Sequence, residues 1–182
     1  MTGDFVNDFT LRDQSGKEFN LYKNLEDNNN VLLVFYPRDS SLVCTRQLKN
    51  YQAEKDLFYR KNIVLAGVNT GDKTSHSYFC EHSNIDFPLL VDEGKEISRR
   101  FDALNFLGIN KRKLVLIGAS KKILFEKNIL TVTYLNSKGI FKILTDQNIL
   151  WNFLSIMFKG NSNNSSAKQS GIMEWWNNGG LE

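Results

Sequence analysis

The chain has 182 residues, 41% hydrophobic and 24% charged, with a net charge of +3, the make-up of one globular domain of ordinary size. So small and dispersed a charge argues for neither nucleic acid nor a membrane surface as partner, and no stretch approaches the roughly 18 apolar residues of a spanning helix. The first ten residues lack the basic head and apolar core of a secretory signal, which makes the cytoplasm the expected location.

In chain order, residues 1–30 read as an extended opening segment with turns. Phe9-Thr10-Leu11 and Phe19-Asn20-Leu21 flank the turn chemistry of Asp13-Gln14-Ser15-Gly16-Lys17, as in a hairpin. Val31–Phe35 is short, continuously apolar and bounded by turn residues, which predicts a buried central strand. Pro37 cannot continue it, and Asp39, Ser40 and Ser41 are candidate N-caps for a following helix with Leu48, Tyr51, Leu57 and Phe58 on its apolar face. Ile63–Val68 reads as a second buried strand, and a short helix starting near Thr74 or Ser75 carries Cys80. Phe87–Val91 is a third strand and Glu93–Phe101 a helix; Leu114–Ile117 and Ile123–Phe125 form a strand pair around Ala119–Lys122. Gln147–Phe158 is the closing helix. Lys111-Arg112-Lys113 reads as part of a solvated face. Strands alternating with helices point to a single α/β domain over residues 1–158. Residues 159–182 form a polar tail rich in Gly, Asn and Ser, interrupted by Trp175-Trp176.

The chain has two cysteines, too few for a disulfide scaffold. Without Cys-x-x-Cys, and with His76 and His82 flanking Cys80 as surface polar residues, no zinc site is spelled out; no metal, nucleotide or flavin is expected. Cys44 stands where the strand ending near Phe35 gives way to a helix. Unpaired N–H groups and the helix dipole favour thiolate over thiol there. Ser41 lies one turn earlier, so its hydroxyl and the Cys44 sulfur can face one pocket. Pro37 fixes the chain's exit from the strand and can wall that pocket against water.

Pro37-x-x-x-Ser41-x-x-Cys44 resembles the Pro-x-x-x-Thr/Ser-x-x-Cys signature of peroxiredoxins. Gly3-Asp4-Phe5-Val6-Asn7-Asp8-Phe9-Thr10-Leu11, Val34-Phe35-Tyr36-Pro37, Phe87-Pro88-Leu89-Leu90 and Arg112-x-x-x-Leu116-Ile117 follow the family's pattern in order, over roughly residues 3–145. Cys44-Thr45-x-Gln47 is similar to the Q-type branch, also called bacterioferritin comigratory proteins. The resemblance implies a thioredoxin-like fold, a central mixed β-sheet flanked by helices. It also implies thiol peroxidase activity on hydrogen peroxide and organic hydroperoxides. Carried over by position, Cys44 is oxidised to sulfenic acid. Ser41 hydrogen-bonds the peroxide, the N–H groups of Val43 and Cys44 stabilise charge on its oxygens, and Arg112 favours the thiolate and orients the peroxide, with Gln47 holding the arginine. Cys80, 36 positions on, matches the resolving cysteine of one Q-type subgroup; this implies a Cys44–Cys80 disulfide reduced by thioredoxin or a similar dithiol protein. The enzyme is then a monomer or dimer.

The sequence departs from the pattern at Leu42-Val43, where Pro-Gly is common, at Leu114, at Gly118, and at Asn7 in place of an early proline. Two other readings stay open. A redox-sensing interaction protein would pass Cys44 oxidation to a partner; a dithiol oxidoreductase is disfavoured by the lack of Cys-x-x-Cys.

Overall fold

The computed structural model describes residues 2–39, 41–71, 84–130 and 132–146. The chain divides into two units, Met1–Leu144 and Thr145–Glu182, and the architecture below belongs to the first apart from the last two residues of the final helix. Cys80 and its helix, the closing helix expected at 147–158 and the tail with Trp175-Trp176 lie outside the described residues.

Strands β1 (Thr10–Asp13) and β2 (Glu18–Asn20) form the expected hairpin, paired antiparallel with Leu11 opposite Phe19. Its turn is held by Asp13, whose Oδ1 accepts from the Ser15 and Lys17 N–H groups. The chain does not run on as a strand at Leu21. Asn20 caps a one-turn helix, α1 (Leu21–Asn24), by accepting from Lys23 N.

β3 (Asn30–Phe35), β4 (Ile63–Asn69), β5 (Leu89–Val91), β6 (Arg112–Ile117) and β7 (Ile123–Ile129) complete a seven-stranded mixed sheet, ordered β2-β1-β5-β4-β3-β6-β7. β3 runs parallel to β4, and β4 to β5; β6 lies antiparallel to β3. β3 is buried at every residue, as befits an unbroken apolar run at the sheet's centre. The parallel crossover from β3 to β4 passes through α2 (Leu42–Ala53) and α3 (Lys55–Arg60), two helices broken at Glu54 where a single one was expected. The helix expected at Glu93–Phe101 contracts to α4 (Glu96–Arg100), because Lys95 takes a left-handed conformation just before it. A last helix, α5 (Ser137–Asp146), was not foreseen. The described residues contain no helix long and apolar enough to cross a membrane.

The two-residue period of the strands sorts the core. Val31, Leu33, Phe35, Ala66, Val68, Val115 and Ile117 share a cluster with Phe9, Leu21, Ile97 and Phe101, contributed by the opening segment, α1 and the α4 region. The alternate residues of the same strands, among them Leu32, Val34, Leu114 and Leu116, are equally buried on the other side. The same alternation separates neighbouring cations. Lys113 points to the α4 side, where its ammonium donates to Phe101 O at 2.7 Å and pairs with Glu126 at 2.9 Å. Arg112, one residue earlier, faces the other way. The reading of Lys111-Arg112-Lys113 as a solvated face is therefore overturned at two of its three positions: Arg112 and Lys113 are 1% and 2% exposed. Only Lys111, paired with Asp102, stays at the surface.

Gly67 lies between Val34 and Leu89, and a Cβ there would come within 2.5 Å of Leu89 Cδ2 and 3.2 Å of Tyr36 Cε1. Gly67→Ala is expected to lower stability by about 1–3 kcal/mol through overpacking, read from urea unfolding. Burial, reinforced by neighbouring Arg60, pushes the Lys61 ammonium down from 10.5 to about 8. The unfolded chain keeps that proton to higher pH, so this group makes stability rise with pH between about 8 and 10.5. In Lys61→Met that part of the rise should vanish when unfolding midpoints are compared across the window.

Candidate functional site

Beyond β3 the chain turns sharply. Tyr36 N still donates to Val68 O, and the Tyr36 hydroxyl donates to Asp39 Oδ1 at 2.9 Å across half-buried Pro37. Ser41, in extended conformation, caps α2: its Oγ accepts from Cys44 N at 3.2 Å and its carbonyl from Thr45 N at 2.8 Å. Cys44 is thus the third residue of the helix, inside its first turn, where half-buried Val43 N–H has no partner within the helix. Cys44, Gln47, Leu48 and Tyr51 follow at helical spacing, and all four are fully buried.

Arg112 opens β6 on the face opposite this stripe. Lys111 N donates to Ala103 O, and buried Asn110 donates to Val68 O, so the run-up to the strand is tied down. The guanidinium then forks. Nη2 donates to Cys44 Sγ at 3.3 Å, and Nη1 makes a short hydrogen bond to Gln47 Oε1. Gln47 Nε2 donates in turn to Tyr51 Oη at 3.1 Å, and the Tyr51 hydroxyl donates to Leu135 O at 2.5 Å. Burial pushes the Tyr51 phenol well above its ordinary value, against the opposing pull of Gln47 and Arg112, which widens the margin by which it is a donor at neutral pH. A cation withdrawn from water needs polar or charged partners beside it, and among the described residues the Cys44 sulfur and the Gln47 carboxamide are two of them.

Ser41, Cys44, Gln47 and Arg112 therefore converge, with Pro37 and Val43 in the turn around them. Cys80, His76 and His82 fall outside the described residues. Sequence reasoning missed Tyr51 as a site residue because it fits an apolar helix face; the signal was a hydroxyl four positions after Gln47 and seven after Cys44. Among the described residues no group of three or more His, Cys, Asp or Glu side chains could hold a metal ion. A groove of about 590 Å³ runs along β1 and the β5–α4 connection and includes none of these residues. Its arginines are engaged locally, Arg12 with Glu18 and Arg100 with Glu96.

A model of the AhpC/TSA family matches residues 2–125. The chain is 33% identical over 101 residues to a Helicobacter pylori protein named as a peroxiredoxin bcp, spanning 56% of this chain and 65% of that one. Against the chloroplastic peroxiredoxin Q of Populus jackii it is 32% identical over 93 residues, 51% of this chain and 43% of the relative. The chain thus spans less than two thirds of the curated relatives it matches. The crystal structure of peroxidoxin BcpB from Mycobacterium tuberculosis superposes with a TM-score of 0.69 at 25% identity, covering 81% of this chain and 96% of the other. A cysteine-to-serine mutant of Xylella fastidiosa PrxQ shares the fold, with a TM-score of 0.70 at 20% identity over 82% and 96% of the two chains.

Removing the cap tests how the sulfur is placed. Ser41→Ala should cost about 1 kcal/mol of stability through the lost N-cap, measured by chemical denaturation.

Proposed function

Since this chain belongs to the AhpC/TSA family, we propose that it is a thiol peroxidase of the peroxiredoxin Q type, with Cys44 as the residue that peroxide oxidises. The observation that carries the reading is the fully buried Cys44 sulfur with the Arg112 guanidinium 3.3 Å away, in the first turn of a capped helix. A fixed cation and a helix N-terminus both stabilise thiolate.

The thiolate attacks the nearer peroxide oxygen. A sulfur–oxygen bond forms as the oxygen–oxygen bond breaks; sulfur loses two electrons, and the departing oxygen takes up a proton and leaves as water or alcohol. Negative charge moves from sulfur onto that departing oxygen. The guanidinium of Arg112, the Ser41 hydroxyl proton and the Val43 N–H are donors suited to meet it. The Cys44 N–H is already engaged by Ser41 Oγ in the resting site, so it contributes by holding the cap. Pro37 screens the pocket from water.

In this reading Cys80 resolves the sulfenic acid, forming a disulfide with loss of water, and thioredoxin or a similar dithiol reduces it in the reducing cytoplasm. A disulfide requires Cα atoms about 4.4–6.8 Å apart and a particular side-chain geometry. Cys44, fully buried inside α2, has to leave its helical turn to reach one, so the Ser41 cap and the Arg112 contact are released in each cycle.

Peroxide consumption by the purified chain, coupled to thioredoxin, thioredoxin reductase and NADPH, tests the proposal. Steady turnover is expected, abolished by Cys44→Ser and lost or made dependent on a small thiol by Cys80→Ser. A single stoichiometric oxidation of Cys44 without cycling, with any dithiol reductant, would overturn the peroxidase in favour of a sensor.

A further inference from the structure

We propose that Tyr51 is a positioning residue that fixes the Arg112 guanidinium through the Gln47 carboxamide, and that it makes the reacting sulfur answerable to the backbone at Leu135. The inference rests on the peroxidase reading for its consequence, and on hydrogen-bond direction for its substance.

Each link from Arg112 to Leu135 donates the same way. Arg112 gives to Gln47 Oε1, Gln47 Nε2 gives to Tyr51 Oη, and Tyr51 gives to Leu135 O. The direction is set from the far end. A backbone carbonyl has lone pairs and no proton, so Tyr51 must spend its only proton on Leu135. Its oxygen can then serve Gln47 solely as an acceptor. That turns the amide nitrogen toward Tyr51 and the amide oxygen toward Arg112. With the carboxamide reversed, an NH2 group would confront the guanidinium, donor against donor, at a buried place.

The polarity of the network is therefore decided at position 135 and delivered to Cys44 by three side chains, all at most 1% exposed. A phenol carries its proton across the physiological range even in water, and burial pushes Tyr51 further up, so the chain retains its donor. Leu135 is not free to drift: two residues on, Ser137 N donates to Asn50 Oδ1 at 3.0 Å, and Asn50 is the α2 neighbour of Tyr51. The segment leading into α5 is thus pinned to α2 beside Tyr51, and any movement of it acts on the orientation of Gln47 and then on Arg112.

Tyr51→Phe removes the hydroxyl while keeping the ring that packs edge-on against Phe58 at 5.9 Å. Single-turnover oxidation of Cys44 by hydrogen peroxide is measured for the wild type, Tyr51→Phe, Gln47→Met and the double variant, alongside urea unfolding. Tyr51→Phe is expected to slow oxidation about tenfold, as is Gln47→Met, and the double variant to be no slower than the slower single one. Multiplying effects, or a Tyr51→Phe rate equal to wild type, would overturn the relay. A role in packing alone would shift the unfolding midpoint and leave the rate untouched. Alkylation of the Cys44 peptide by iodoacetamide, followed by mass spectrometry on the same four proteins, reads the coupling without peroxide. If wild type fails to react with peroxide, the peroxidase reading falls; if alkylation is equally fast in wild type and Tyr51→Phe, the relay falls.

Discussion

A guanidinium held out of water beside a cysteine sulfur is the constraint around which this protein is arranged. Burying an arginine is expensive unless its charge and its donors are met. Here Cys44 and Gln47, one helical turn apart, meet the two prongs of the fork. The arrangement requires α2 to begin at a fixed point, which the Ser41 cap supplies, and β6 to begin at a fixed point, which Asn110 and Lys111 supply. Neither element alone makes a site. Parallel pairing of β3 with β4 and antiparallel pairing of β3 with β6 bring the start of α2 and the start of β6 to one end of the sheet.

The sheet also keeps two buried cations from interfering with one another. Arg112 and Lys113 are adjacent in sequence yet serve opposite faces. Lys113 is neutralised by Glu126 on β7, directly across from Val115. It braces the packing near Phe101, while Arg112 is left for the sulfur. The two side chains illustrate why arginine and lysine are not exchangeable here: the forked geometry suits two acceptors at once, whereas the ammonium suits a carboxylate and a carbonyl in one polar nook.

Much of the architecture was legible because continuous apolar runs such as Val31–Phe35 and Ile63–Val68 have no other stable place than the centre of a sheet. The turn at Asp13–Lys17 and the cap at Ser41 were legible because their chemistry is local. What escaped depends on distant partners. Ser137–Asp146 is a different case: Ile140, Phe141, Ile143 and Leu144 stand at helical spacing, so the apolar face that buries Ile140 and Leu144 was open to a reading that Gly139, a weak helix former, obscured. The burial of Lys113 needed Glu126, and the role of Tyr51 needed Leu135, 84 positions away. Cys44 and Arg112 were legible as types in an order; the hydrogen-bond direction that binds them is a property of the folded chain.

The strict alternation at the start of β6 bears on which length changes the gene can tolerate. A codon inserted between Asn110 and Arg112 leaves the strand two options. It can bulge, or it can slide by one position against β3 and β7, which presents the wrong face of every side chain. With the extra residue directly after Asn110, sliding would put Lys111 in the place of Arg112 beside the sulfur and Arg112 in the place of Lys113 facing Glu126, so a length change alone would replace both side chains without substituting either. The tip of the preceding loop, with Phe106 and Leu107 in the open, is not held in register by a neighbouring strand. The spacing just before β6 is.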